Sequence, residues 1–567
     1  MRIVRRQLAG QRVSSPAFHP ILQRVLAHRG LQDEETELTL KRLSPPKLAD
    51  LDKACDCLYQ ALLSQKKILI VGDFDADGAT STALCLEALQ QMGSQALDFL
   101  VPNRFEFGYG LSVPLVDIAH QQGAQLIVTV DNGISCHSGV QRAKELGMQV
   151  IITDHHLPGD CLPEADAIVN PNRKDCQFPS KCIAGVGVAF YLMMALRSYL
   201  RQRNYFTERG LQEPNLASLL DLVALGTVAD VVPLDDINRI LVQQGINRIR
   251  SGYVRPGIRA LLDVSKRDPR QLVSADFGFA VAPRLNAAGR LDDISVGIHC
   301  LLSNDYQQAF RLAASLDNLN HERKAIESSM QQEALKSLQN IQLTRLPSAI
   351  AMYQNDWHQG VIGILAGRLK ERYHRPVAVF AADDNGLIKG SCRSIKGIHI
   401  RDLLERINTE KPGLIHKFGG HAMAAGLTIS EADFEHFKNA FEKTVDQVAD
   451  ASVFDDVCWS DGPLKAADYT LELAQILKSA MPWGQAFEKP VFDDTFKVVQ
   501  DRVLQDKHLK LVLQHPSGDL FDAIWFNYNP DIWHSSAEQA HVAFTLDINE
   551  FRGQKSVQLL VEAALPV

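Results

Sequence analysis

Four short apolar runs dominate the first third of the chain: KILIVG from residue 67, LDFLV from 97, AQLIVTV from 124 and MQVIIT from 148. Helix-length segments, STALCLEALQQMG and GVQRAKELGM, stand between them. Three of the runs lack any alternation of polar and apolar residues, so their strands have both faces covered, the mark of a parallel sheet. Parallel neighbours in turn need helical crossovers, which the intervening segments supply. The pattern from about 65 to 170 therefore predicts an α/β domain in which ligands bind beyond the carboxyl ends of the strands.

Those ends are where the unusual residues fall. The first run continues into VGDFDADGAT, with Asp73, Asp75 and Asp77 alternating. Were the strand to persist, all three would project from one face. Each like-charged pair at about 6 Å and an effective dielectric of about 20 then costs roughly 2 to 3 kcal/mol. Asp131 ends the third run in VTVDNGIS, Asp154-His155-His156 end the fourth in IITDHHLP, and Asp230 follows a helical run in GTVADVVPL. Taken singly, an aspartate after a strand is an ordinary turn or helix-cap residue. Four such clusters at one sheet edge make a site. Carboxylates with imidazoles suit Mn²⁺ or Mg²⁺, and no cysteine accompanies them as a structural zinc would require. Two such ions about 3.5 to 4 Å apart would absorb the charge, activate water and clamp the oxygens of an in-line phosphoryl displacement.

Further along, polar helix is expected over 305–343 as a linker, then a second α/β unit over 344–452, and from 453 to 567 five β-rich runs separated by turns such as HPSGD, which predict a small barrel. Residues 1–45 form an N-terminal segment and 46–304 the first domain. The segment from 455 carries 9 Lys/Arg against 17 Asp/Glu, the whole of the net charge of −8, while the remainder balances. A polyanion must then be held by local basic grooves, not by the summed field. Ten scattered cysteines without a CxxC, no apolar run of transmembrane length and no secretory h-region imply reduced thiols, no membrane and a cytoplasmic protein.

DFDADG, VDNG, TDHH and GTVADVVPL, in this order, resemble the four motifs of the DHH phosphoesterase superfamily, and the match is closer to its bacterial single-strand-specific 5′ exonucleases. GRLDD (289–293), SCRS (391–394) and GGHAMAAG (419–426) look like further features of that branch, the last belonging to its DHHA1 domain. The resemblance spans roughly 30 to 565. It implies a parallel-sheet DHH domain, a long linker helix, a DHHA1 domain and a C-terminal OB-like β-barrel. It implies that Asp75, Asp77, Asp131, His155 and Asp230 are metal ligands, with Asp131 bridging, and that Asp73 and His156 share the catalytic set. His156 would contact a phosphate oxygen or act as an acid, and Asp154 would orient a histidine. The related pyrophosphatases carry a histidine upstream of their first aspartate; here that ligand is missing, with Asp73 as its substitute.

For the DNA, Arg393 beside Ser391 offers a fork and a hydroxyl for a terminal phosphate, and Gly419, Gly420 and His421 offer backbone donors and an imidazole. Arg104 in VPNRFEFGYG matches a further arginine of the branch. Arg284, Asn286 and Arg290 form another candidate set, unless Asp292 and Asp293 merely neutralise them. Arg368, Lys370, Arg372, Arg375, Lys389, Lys396 and Arg401 would line a phosphate groove or a solvated face. Phe492, Phe496, Phe521, Trp525, Phe526, Tyr528, Trp533 and Phe551 supply the barrel with core or with stacking surfaces, and its acidity leaves DNA and a protein partner both open.

The activity implied is metal-dependent 5′-to-3′ degradation of single-stranded DNA to mononucleotides in recombination and repair. A narrow passage between the two α/β domains would exclude duplex. A RecQ-type helicase and a single-strand-binding protein are the implied partners. The rival readings are a small-molecule or oligonucleotide phosphodiesterase, which would not need the β-rich tail, and a non-catalytic scaffold, which would have lost ligands.

Overall fold

A computed structural model of the chain describes residues 2–8, 13–102, 110–340, 346–505, 507–528, 530, 533 and 537–567. Two compact units partition it. One comprises Leu8–Asn320 with Ile476–Lys489; the other comprises Met1–Gln7, His321–Gln475 and Pro490–Val567. Strands are numbered in chain order, beginning with β1 (Arg2–Arg5).

In the first unit β2 (Ile68–Val71), β3 (Leu97–Leu100), β4 (Leu126–Val130), β5 (Gln149–Thr153) and β6 (Ala167–Val169) form one sheet in the order β3-β2-β4-β5-β6. Every pairing is parallel. Residues of β2 and β4 are fully buried, as runs without polar alternation require. The helix Ala76–Gln91 follows β2, His137–Glu145 joins β4 to β5, and Gly185–Gln202 follows β6. One expectation fails here: the strand does not persist through the acidic run. β2 stops at Val71, and Asp75 becomes the N-cap of the helix Ala76–Gln91, its carboxylate accepting from the Asp77 and Gly78 N–H groups at 2.9 and 3.1 Å. Capping satisfies amides that would otherwise be orphaned, and it places Asp77 in the first turn of that helix.

The helix Tyr306–Asn340 fills the expected linker. Beyond it, β7 (Ile350–Gln354), β8 (Val377–Ala382), β9 (Leu387–Arg393), β10 (Lys417–Gly420) and β11 (Ala424–Ser430) form a mixed sheet ordered β10-β11-β9-β8-β7. Its core includes Phe380, Phe437 and Phe441. β12 (Val457–Ser460) pairs in parallel with β1. Arg5 at the end of β1 then forks onto Asp493, a fully buried carboxylate that also accepts from Ser460 and His541. A buried charge persists only when so surrounded.

The five β-rich runs of the tail become β13 (Phe492–Leu504), β14 (His508–Gln514), β15 (Leu520–Trp525), β16 (Gln539–Phe551) and β17 (Gln554–Pro566). They close into a barrel in the order β13-β14-β15-β17-β16. All ten cysteines are free thiols, and among the described residues no helix is long and apolar enough to cross a membrane.

Candidate metal centre and phosphate-end site

The carboxyl edge of the parallel sheet gathers the acidic clusters. Asp131 follows β4 with a left-handed φ of 62°, a conformation aspartate tolerates better than most residues. Its neighbour Asn132 donates its side-chain amide to Val71 O at 3.0 Å and Val130 O at 2.9 Å, tying together the ends of β2 and β4. Oxygen and nitrogen atoms of Asp73, Asp75 and Asp131 lie within 4.8 Å of one another, as do those of Asp77, His155 and Asp230, and those of Asp131, His155 and His156. Asp131 and His155 thus join the groups into one cluster. Asp77 is held by the N-terminus of the helix Gly185–Gln202, accepting from Gly185 N at 2.7 Å and Val186 N at 2.9 Å. Asp230 caps the C-terminal end of the helix Leu220–Ala229.

Asp154 stands apart from these groups. It accepts from Ile134 N, His155 N, His156 N and His156 Nδ1, the last at 2.7 Å. Burial alone would raise its pKa, yet the bonds from His156 hold it below the ordinary carboxylate value. Burial likewise works to lower His156, but Asp154 raises it to about 9. His155, desolvated beside that cation, is lowered.

The carboxylates behave in the opposite way. Burial, with the charge of Asp230, pushes Asp77 to about 7; burial, with the charge of Asp75, does the same to Asp230; Asp131 rises well above its usual range. His155 Nε2 lies 3.1 Å from Asp131 Oδ1 and 3.5 Å from Asp230 Oδ2, yet among the described residues neither it nor Asp230 Oδ2 finds a hydrogen-bond partner, although both are buried. Oxygen-rich, buried and mutually repelling, the donor set fits a hard divalent cation.

Side chains not foreseen in this role brace the loop. Asn172 donates to His155 O at 2.6 Å, and Asn170, fully buried, to His156 O at 2.9 Å. Both come from VNPN at the end of β6, a three-residue strand too short to read from its pattern. Asn286 accepts from Ala76 N at 2.8 Å, so it supports the acidic turn.

On the mixed sheet, Gly419 of β10 pairs with Gly426 of β11, which pairs with Ser391 of β9, and Ala424 pairs with Arg393. The His421 N–H donates to Ala424 O at 2.8 Å. Ser391, Arg393, Gly419, Gly420 and His421 are therefore brought to one region by strand register. Arg393 donates to Ser391 Oγ at 3.1 Å and Cys392 O at 2.8 Å, and burial lowers its pKa from the ordinary value.

Other candidates lie elsewhere. Arg104 falls outside the described residues. Arg284 is buried and pairs with Asp317 at 2.7 Å, not with Asp292 or Asp293 as the alternative reading supposed; Arg290 is half-buried on the same helix, Ala282–Leu291. Arg368 pairs with Glu327, Lys389 with Asp383, and Arg375 lies over Phe454, which leaves Lys396 and Arg401 among the more exposed of the basic set. In the barrel Phe492, Phe496, Trp525 and Trp533 are core, Phe521 stacks on Tyr469, and Phe526 and Phe551 are exposed.

An acid-and-histidine edge on a parallel sheet, followed by a mixed α/β sheet and a barrel, defines a DHH-family protein. Its N-terminal domain model matches residues 67–227, the DHHA1 domain model 346–447 and the RecJ OB domain model 460–563. The "Single-stranded-DNA-specific exonuclease RecJ" of Dickeya dadantii is 55% identical over 553 residues, 96% of each chain. RecJ from Thermus thermophilus, solved with Mn²⁺, superposes with a TM-score of 0.78 at 27% identity over 98% of this chain and 78% of that one. The same protein with Mg²⁺ gives 0.73 at 26% identity over the same shares. The chain belongs to the RecJ family.

Proposed function

We propose that this chain degrades single-stranded DNA from its 5′ end to mononucleotides, with two divalent ions at the parallel-sheet edge. The observation that carries the reading is the cluster in which Asp131 and His155 link two carboxylate groups; membership of the RecJ family supports the substrate. Asp75, Asp77, Asp131, His155 and Asp230 would hold Mn²⁺ or Mg²⁺, with Asp73 supplementing them. Such ions supply Lewis acidity, neutralising phosphate oxygens and making water a better nucleophile.

The remaining steps belong to side chains. Asp154 fixes the His156 ring, and that imidazolium donates to the scissile phosphate, where it can also protonate the departing 3′ oxygen. Ser391, Arg393, Gly419, Gly420 and His421 take the 5′-terminal phosphate, a charge-assisted and geometrically selective contact. Arg290 contacts the backbone nearer the break, whereas Arg284 is already paired with Asp317. A RecQ-type helicase that exposes single strands and a single-strand-binding protein that coats them fit this activity, in the cytoplasm where recombination and repair occur.

The test is incubation of end-labelled single-stranded and duplex oligonucleotides with Mn²⁺, Mg²⁺ or chelator. Mononucleotides should appear from the 5′ label first, on single strands and only with metal. Release from the 3′ end, equal attack on duplex, or full activity in chelator would overturn the reading. For the end site, Arg393→Ala should cut the preference for 5′-phosphate over 5′-hydroxyl substrate by about 10- to 100-fold, the worth of a charged hydrogen bond. An unchanged preference ratio would remove Arg393 from that role.

A further inference from the structure

Phe279 is 85% exposed, the highest value among the large exposed apolar residues that the structure describes. It sits in a π-helical turn, Phe277–Val281, that leads directly into the helix Ala282–Leu291. Such turns are rare and concentrate at functional sites. The rest of this turn is well anchored: Phe277, Ala280 and Val281 are buried, so the backbone presenting Phe279 is rigid. A single exposed apolar side chain is ordinary by itself, so its role rests on what surrounds it.

Its surroundings say which ligand. A Cβ on Gly278 would stand 3.5 Å from Val228 Cγ1, so the turn packs on the helix that ends at Asp230. On its other side the following helix docks on the acidic turn, Asn286 accepting from Ala76 N, and Gly289 approaching Phe74 O so closely that a Cβ would lie 1.7 Å from it. Phe279 is thereby mounted on the two elements that carry or support the candidate metal ligands. Two other exposed apolar residues directly follow residues of the candidate site in sequence: Leu157 after His156, at 55%, and Val231 after Asp230, at 63% with a left-handed φ of 60°. Three side chains of this size offer far less than the roughly 800 Å² per partner that a stable protein interface buries. The face of Phe279 by itself matches one flat ring.

We propose that Phe279 is a stacking platform for a nucleobase of the single strand. This rests on the reading of the chain as a single-strand exonuclease and names how it grips bases without reading them. Stacking accepts any base, because each has a π-face, and a paired base held within a duplex stack cannot offer its face to Phe279.

The experiment compares wild type, Phe279→Ala, Phe279→Leu and Phe279→Trp on 5′-phosphorylated oligonucleotides, either intact or abasic at one of the first four nucleotides, with Mn²⁺. Phe279→Ala and Phe279→Leu should lower kcat/KM on intact strands by about 5- to 150-fold, mainly through KM. Phe279→Trp should stay within about threefold of wild type, since a planar ring is retained. At one position the abasic lesion should slow wild type but leave Phe279→Ala unaffected, the non-additivity expected of a direct pair. Wild-type kinetics in Phe279→Ala, full activity in Phe279→Leu, or an undiminished abasic penalty in Phe279→Ala would overturn the proposal. Absence of wild-type turnover on intact strands would instead overturn the exonuclease reading, and this inference with it.

Discussion

Asp131→Asn should reduce DNA hydrolysis by about 10³-fold or more while leaving the metal-free protein at least as stable as wild type. Asparagine keeps the shape and tolerates the left-handed φ of 62°, so the backbone has no reason to move. What changes is charge. Burial, with the repelling charges of Asp77, Asp75, Asp230 and Asp73, drives the pKa of Asp131 well upward. Removing one carboxylate relieves that repulsion, so the midpoint of thermal unfolding in chelator should hold or rise. Adding Mn²⁺ should stabilise wild type by about 2.7 kcal/mol at a hundredfold excess over Kd, and the variant much less. The loss in rate follows because a shared ligand supports both halves of the cluster, and about 4 kcal/mol of transition-state stabilisation is worth a thousandfold. Oligonucleotide turnover and thermal melts with and without Mn²⁺ check both arms. Near-normal hydrolysis, or a collapse of metal-free stability, would refute the assignment.

Gly226→Ala is the second large effect, and it acts through packing. Gly226 lies in the helix Leu220–Ala229, where a Cβ would sit 2.2 Å from Thr80 Oγ1, 2.8 Å from Asp77 Oδ1 and 2.8 Å from Val186 Cγ1. Thr80 cannot swing away without cost, because its hydroxyl bonds to Ala76 O and Asp77 O. The helices must part, or Asp77 must leave the Gly185 and Val186 amides. Overpacking of this kind costs typically about 1 to 3 kcal/mol, and displacement of Asp77 should weaken Mn²⁺ binding and turnover by about tenfold or more. A helix interior would ordinarily gain from this substitution by up to about 1 kcal/mol, so the sign of the change in unfolding midpoint decides the matter. A variant more stable than wild type with normal Mn²⁺ dependence would contradict this account.

The residue pattern discloses some of these features and hides others. The four apolar runs and the five β-rich runs of the tail announce their strands plainly, since β-branched residues and turn signals act locally. The acids stand out for the same reason: charge at the end of an apolar run is conspicuous. The break after Val71 is harder to read. Alternating aspartates look like a strand face, whereas the capping bonds from Asp77 N and Gly78 N exist only once the helix has formed. Asn132, Asn170, Asn172 and Asn286 leave no trace of their bracing in the pattern, because each acts on a backbone group brought near by the tertiary fold. Arg284 misleads for a similar reason: its partner is Asp317, on another helix, and not the aspartates that follow it in sequence. Phe279 is invisible too, since nothing local distinguishes a displayed ring from a buried one.

The path of the chain carries its own consequence. Residues 476–489 return to the unit that otherwise ends at Asn320. There Gln485 O accepts from Leu234 N, Trp483 O accepts from Ser274 Oγ, and Phe487 lies under the Arg239 guanidinium. During synthesis the nuclease core must therefore wait, unfinished, until the whole stretch from His321 to Gln475 and the return segment after it have been made. A chain cut after residue 475 would leave those donors stranded, so removing the tail would not liberate an intact catalytic half.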